Sequence, residues 1–164
     1  MSARAAWRLE SLGFTQVYRY TAGKMDWLAS GLPIEGQFAN APCAGDLARS
    51  DVPTCTLTER VSEVRAHVHD DWHVCVVVNE QKIVLGLLDE KAIQGGGNVR
   101  VEQAMEAGPR TYRPYASPAQ LMRYLNKHRE RYGVLVTTAD GTLLGFVRRA
   151  DAERAQRESE HQTS

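Results

Sequence analysis

The sequence predicts an α/β protein: two copies of one β-α-β-β-α unit in pseudo-twofold arrangement, behind a small N-terminal α/β segment. Three observations carry that expectation. A pattern occurs twice, as TCTLTERVSEVRAHVHDDWHVCVVVNEQKIVLGLLDEKAI over residues 54–93 and as RTYRPYASPAQLMRYLNKHRERYGVLVTTADGTLLGFVRRADAERA over residues 110–155. Each copy sets a turn between two apolar runs, Asn79-Glu80-Gln81-Lys82 in the first and Asp140-Gly141 in the second. A glycine then recurs at the matching place of the following strand, as Gly86 and Gly145. Such a unit leaves apolar faces half exposed. Packing two copies together buries them and leaves equivalent clefts between the copies.

Each element has its own signal. Residues 3–12 read as a helix, with Ala5, Ala6, Leu9 and Leu12 at helical spacing and Gly13 as the stop. Val17, Tyr18 and Tyr20 suit a short strand, and a second short helix is expected around Met25, Trp27 and Leu28, closed by Gly31 and Pro33. Residues 37–53 are a linker or an extended wrap. In the first copy Val61, Val64 and Val68 mark one helix face, and Val74 to Val78 form a buried-strand run. In the second, Ser117-Pro118-Ala119-Gln120 starts a helix: Ser at the N-cap, Pro in the first turn, Gln able to reach back. Leu121, Met122 and Leu125 then face the core, and Val134 to Val136 form the matching strand. Asp-Gly between apolar runs is a strong hairpin turn. Gly95-Gly96-Gly97-Asn98 reads as a flexible connector. The resulting division is 1–36, a linker over 37–53, a first repeat over 54–98, a second over 99–156, and a tail over 157–164 that frays into disorder.

Composition narrows the function classes. Among 164 residues, 20 cationic side chains face 20 acidic ones. A balanced chain argues against general electrostatic capture of nucleic acid or anionic lipid. No apolar stretch approaches the ~20 residues that span a bilayer. The three cysteines, Cys43, Cys55 and Cys75, are odd in number and widely spaced, which fits a cytoplasmic protein rather than a disulfide framework.

The repeats resemble CBS domains, and together they look like a CBS pair, or Bateman module. VCVVVNEQKIVLGLL and GVLVTTADGTLLGFVRRAD carry the resemblance. It covers about 100 residues, 54–155, and the second copy is the more specific. It implies a ligand sensor rather than an enzyme, with AMP, ATP or S-adenosylmethionine as the ligands many such pairs take. It also implies a homodimer formed through the CBS helices. The family's nucleotide signature is a glycine, a Ser or Thr three residues on, and an Asp three further. The hydroxyl meets phosphate, and the carboxylate, which accepts two hydrogen bonds at once, holds the ribose. In copy two Gly145 and Asp151 match and Arg148 replaces the hydroxyl residue. Arg148 is either a phosphate ligand, being planar and permanently charged, or a surface arginine paired with Asp151 or Glu153. Asp151 reads equally as ribose acceptor or as a plain helix N-cap. In copy one Gly86 matches, but Asp89 stands at the hydroxyl position and Ala92 at the ribose position, which leaves that site without nucleotide chemistry. The expected site is Gly145, Arg148 and Asp151, with Thr111 and Tyr112 of the lead-in strand lining the same cleft.

Residues 3–36 resemble the closing segment of a rhodanese domain, on LESLGF and VYRYTAGKMDWLASGLP. In rhodaneses a cysteine loop lies ahead of the matching helix, where the helix dipole lowers the thiol pKa. Here that place would precede Met1, and the first cysteine is Cys43. The segment reads as a remnant docked on the CBS pair through Trp7, Tyr18 and Trp27. A sulfurtransferase lacking its catalytic half is the further alternative.

Other constellations are weaker. HVHDDWH offers His67, His69 and His73 with Asp70 and Asp71, side chains that ligate zinc or nickel. The plainer reading is a helix end and its turn, so no metal site is expected. Cys75 reads as a small core residue. Arg123, Lys127, Arg129 and Arg131 form a solvated face or a weak polyanion patch. No nucleophile stands with a base, so no catalytic residue is assigned. The expected function is therefore a regulatory CBS-pair module with one adenine-nucleotide or adenosyl ligand in the repeat 2 cleft. The alternative is an assembly module whose clefts bind nothing.

Overall fold

The structure is a computed structural model that describes residues 3–18, 27, 42–69 and 71–161. After α1 (Ala3–Ser11) and a short α2 (Ala44–Leu47), the first repeat runs β1 (Thr54–Cys55), α3 (Val61–His67), β2 (Val74–Val78), β3 (Val84–Asp89) and α4 (Glu90–Gly95). α5 (Val101–Ala104) and β4 (Glu106–Ala107) follow. The second repeat runs β5 (Thr111–Tyr112), α6 (Pro118–Lys127), β6 (Gly133–Thr137), β7 (Leu143–Arg148) and α7 (Arg149–His161). Two sheets result, β1-β2-β3-β4 and β5-β6-β7. In each, the lead-in strand lies parallel to the middle strand and the hairpin is antiparallel, with Val77 opposite Gly86 and Val136 opposite Gly145.

The middle strands are buried on both faces, and side-chain alternation divides their residues between cores. Val74, Val76 and Val78 of β2 point into a core between the repeats, with Trp72, Leu87, Leu135 and Phe146. Cys75 and Val77 point the other way, onto Val61 and Val64 of α3 and Ile93 of α4. β6 does the same: Leu135 joins the inter-repeat core while Val134 and Val136 meet Leu121, Met122 and Leu125 of α6.

The repeats exchange edges. β4, which precedes repeat 2, pairs with β3 of repeat 1. Arg49, which precedes repeat 1, bridges Phe146 of repeat 2, with both N–H···O bonds at 3.0 Å. At the centre Ile83 bridges Thr142; Val84 N–H donates to Gly141 O and Leu143 N–H to Lys82 O. Equivalent residues of the two hairpins thus bond reciprocally across the pseudo-twofold axis.

Several expectations change. Val17 and Tyr18 are not in a strand. Trp7 is 66% and Tyr18 81% exposed, so neither docks the N-terminal segment on the repeats. Of the rhodanese-like segment 3–36, residues 19–36 apart from Trp27 lie outside the described residues, and with them the second short helix expected around Met25, Trp27 and Leu28. The linker is not featureless, since it holds α2 and the Arg49 bridge. α7 continues to His161, past residue 157 where a disordered tail is expected; Ala152 and Ala155 anchor it, and Gln156 donates to Glu160 and Ser159 Oγ to Ala155 O beyond them. The glycine connector is structural: Gly97 O and Val99 O accept from Ser62 and Val61, the first N–H groups of α3, which no N-cap side chain bonds. A Cβ on Gly96 would lie 2.7 Å from Val61 Cγ1.

Candidate functional site

Beside Arg148 lies an open cleft of about 590 Å³ between the repeats. Repeat 1 contributes Asp71, Trp72, His73 and Val74, from the turn that delivers the chain into β2. Repeat 2 contributes residues 129–132 before β6, Phe146 and Arg148 of β7, and Arg149, Ala150 and Glu153 of α7. Trp72 is its centrepiece. Only 8% exposed, it meets Phe146 edge-on at 6.0 Å. The Arg148 guanidinium lies 4.3 Å from the ring centroid and that of Arg49 5.2 Å, which are favourable cation–π placements. Arg148 also donates to Asp71 O at 3.0 Å. Arg49 forms a two-pronged pair with Asp51 and is within electrostatic reach of Asp71 and Asp151. The Arg49 hydrogen bonds hold the Asp51 carboxyl below its ordinary range.

The five predicted residues do not converge. Arg148 lines the cleft. Asp151 sits in the first turn of α7, two residues past its start, so it is not the N-cap; it accepts from Arg154 at 2.8 Å and its side chain is 23% exposed. Gly145 is packed rather than open: a Cβ there would lie 2.6 Å from Arg49 O. Gly86 plays the same part, where a Cβ would strike the Met105 thioether. The strand glycine of each repeat thus lets the segment from outside the repeat cross over it. Thr111 and Tyr112 line a different hollow, on the outer side of repeat 2. The edge exchange explains this: the segment that reaches β7 is the one ahead of repeat 1, carrying Arg49. Sequence reasoning missed Arg49 and Trp72. Trp72 had a signal, an aromatic residue just ahead of an apolar strand. Arg49 had none, because its role depends on a long-range pairing.

The counterpart cleft near Asp89 is smaller, about 200 Å³. Asp89 caps α4, accepting from Ala92 N–H at 2.8 Å. Arg131 binds Glu106 by two hydrogen bonds of 2.5 and 2.8 Å, and those bonds raise the Arg131 pKa further. Tyr132 donates to Glu90. Asp89, Glu90, Glu106 and Glu130 line it against only Lys91 and Arg131, the latter already paired with Glu106, an excess of carboxylates that opposes phosphate. At the join of the two clefts His73 stacks on Tyr132 at 4.5 Å, and its Nδ1 lies 3.4 Å from Glu90. His73 thus serves the contact between repeats, and no metal-binding group of three ligands occurs among the described residues. Cys75 packs against Cys55 in the core; that contact, then burial, drives its thiol pKa upward. Cys43 is half-buried, its thiol 3.0 Å from Asp46, and burial raises its pKa.

No protein-family model matches the sequence, and no curated protein matches it. Solved structures do match in fold. The cytosolic domain of the Mg2+ channel MgtE in complex with ATP aligns at TM-score 0.64 and 19% identity, over 70% of this chain and 49% of that one. The chain thus spans about half the length of that transporter domain. CBSX2 in complex with AMP aligns at TM-score 0.62 and 17% identity, over 73% and 98%. A CBS domain pair/ACT domain protein from Thermotoga maritima aligns at 0.61 and 13%, over 71% and 98%. The fold is that of CBS-pair proteins. No helix among the described residues is long and apolar enough to cross a membrane.

Proposed function

We propose that this chain is a regulatory CBS-pair module that takes one adenine nucleotide or related adenosyl ligand in the cleft beside Arg148. The observation that carries the reading is the contrast between the two pseudo-equivalent clefts. The Arg148 cleft has four cations, Arg129, Arg131, Arg148 and Arg149, against three carboxylates, Asp71, Glu130 and Glu153, with Trp72 and Tyr132 among its aromatic residues. Its counterpart is smaller and carboxylate-lined. In this reading Arg148 binds phosphate, Asp151 turns from Arg154 to hold the ribose hydroxyls, and buried Trp72 and Phe146 form the floor that holds Arg148 in place. Two of the fold neighbours were solved with ATP or AMP. The ligand regulates by preferring one packing of the repeats, or of two chains joined through their helices, over another. The chain carries no chemistry of its own in this reading.

Thermal unfolding with AMP, ATP and S-adenosylmethionine tests it. A ligand at ~100 times its Kd adds roughly 2.7 kcal/mol, a rise of about 5–10 °C in Tm for a chain of this size. One ligand is expected to give that rise, and Asp151→Ala and Arg148→Gln to reduce it. No rise with any of the three rejects the nucleotide reading. It would leave the assembly module, which the exposure of Trp7, Leu12, Phe14 and Tyr18 favours.

A further inference from the structure

The hollow that holds Thr111 and Tyr112 shares no lining residue with the Arg148 cleft. It measures about 610 Å³, between β5 and α6, a volume that suits a small ligand. Arg110, Arg113, Arg123 and Lys127 line it, and no carboxylate does. In a chain of 20 cations and 20 acids, that is a local segregation of charge.

The four cations are not alike. Arg113 is committed to the fold, donating to the carbonyls of Thr137, Thr138 and Ala139 at the hairpin turn. Arg110 is held on aromatic surface, 5.4 Å from the Tyr112 ring and 5.3 Å from that of Tyr124. Arg123 and Lys127 are exposed and stand four residues apart on α6. Neither has an ion pair among the described residues. Like charges at that spacing repel, and an anion between them relieves the repulsion. They stand about 6 Å apart along the helix axis. A lone phosphate offsets part of this charge, whereas linked phosphates carry enough negative charge to engage Arg123, Lys127 and Arg110 together.

We propose that this hollow is a second site, for a small anion bearing two or more linked phosphates. Arg110, Arg123 and Lys127 grip the phosphates against the Tyr112 and Tyr124 wall. A nucleic-acid strand is the less suited occupant, because it needs a basic groove that continues along its backbone, and this chain has no net positive charge.

Isothermal titration with inorganic tripolyphosphate, pyrophosphate and orthophosphate tests this on the intact protein. Affinity is expected to rise from orthophosphate to tripolyphosphate and to fall with added salt. The double variant Arg123→Gln/Lys127→Gln changes only exposed side chains, and its unliganded Tm reports that it folds. It is expected to weaken tripolyphosphate at least tenfold at this hollow, while Arg148→Gln, which alters only the inter-repeat cleft, retains the binding that the double variant loses. Equal affinity in the double variant and the parent overturns the proposal. So does loss through Arg148→Gln alone, which assigns the anion to the inter-repeat cleft. A single-stranded oligonucleotide that outcompetes tripolyphosphate at equal phosphate concentration also overturns it, in favour of a nucleic-acid surface.

Discussion

A Cβ placed on Gly145 would lie 2.6 Å from the Arg49 carbonyl oxygen and 2.9 Å from its carbon. Both are backbone atoms held by the paired hydrogen bonds to Phe146, so neither can swing aside as a side-chain tip would. Gly145→Ala is therefore expected to cost about 1–3 kcal/mol, the range for overpacking, seen as a lower urea midpoint. Gly95→Ala is the control, since a Cβ there meets nothing within 4 Å. The equivalence of Gly86 and Gly145 was legible in the repeat. Its cause was not, because the atoms each glycine admits come from a segment tens of residues away. Turn chemistry, by contrast, is local. Gly141 takes φ +91° at the Asp-Gly turn. Lys82 takes the equivalent left-handed conformation at φ 58°, its turn anchored by the Asn79 side chain, which accepts from Gln81 and Ile83 N–H.

Helix ends show the same division at the scale of elements. The start of α6 follows from four adjacent residues: Ser117 Oγ accepts from Gln120 N–H, and Gln120 Oε1 accepts from Ser117 N–H. The end of α6 depends on a residue of another element. Arg149, first in α7, donates to Leu125 O at 2.8 Å, His128 O at 3.0 Å and Arg131 O at 3.1 Å, a second bond to carbonyls at the end of the helix and a brace on the turn that follows it. Arg149→Leu keeps much of the apolar stem but removes these charge-assisted bonds. It is expected to cost roughly 2 kcal/mol, measured by chemical denaturation. Because Arg149 also lines the Arg148 cleft, ligand shifts in that variant are read against its own unliganded Tm.

At the scale of the molecule, the repeats meet in the apolar core around Leu135 and Phe146, in the hairpin bridge, and in a polar contact where Tyr132 and His73 converge on Glu90. The Tyr132 hydrogen bond is the leading cause that lowers the Glu90 pKa below its ordinary 4.5, with His73 adding to it. A depressed carboxylate pKa contributes stability above the unfolded-state value, and that contribution is lost as pH falls through the folded value. The join is thus expected to loosen with acidification below about pH 4.5. Urea midpoints measured from pH 6 to pH 3 are expected to fall less steeply in Glu90→Gln than in the parent. Parallel slopes would remove Glu90 from the acid response.

The strands, helices and turns of both repeats were legible because each depends on neighbours within a few residues: apolar alternation, a capping box, an Asp-Gly turn. The contrast between the repeats was legible in part, since Asp89 and Arg148 occupy equivalent positions and differ in charge. The membership of each cleft was not. Thr111 and Tyr112 were expected beside Arg148, yet the segment that arrives there belongs to the other repeat and brings Arg49, while Trp72 closes the cleft from repeat 1. Backbone pairing at a sheet edge is nearly blind to side-chain identity, so the exchange of edges left only the two strand glycines as its mark in the sequence. The sequence by itself determined the duplicated unit and its buried strands, through local periodicity. The tertiary structure decided which segment completes which sheet, and with it which residues share a site.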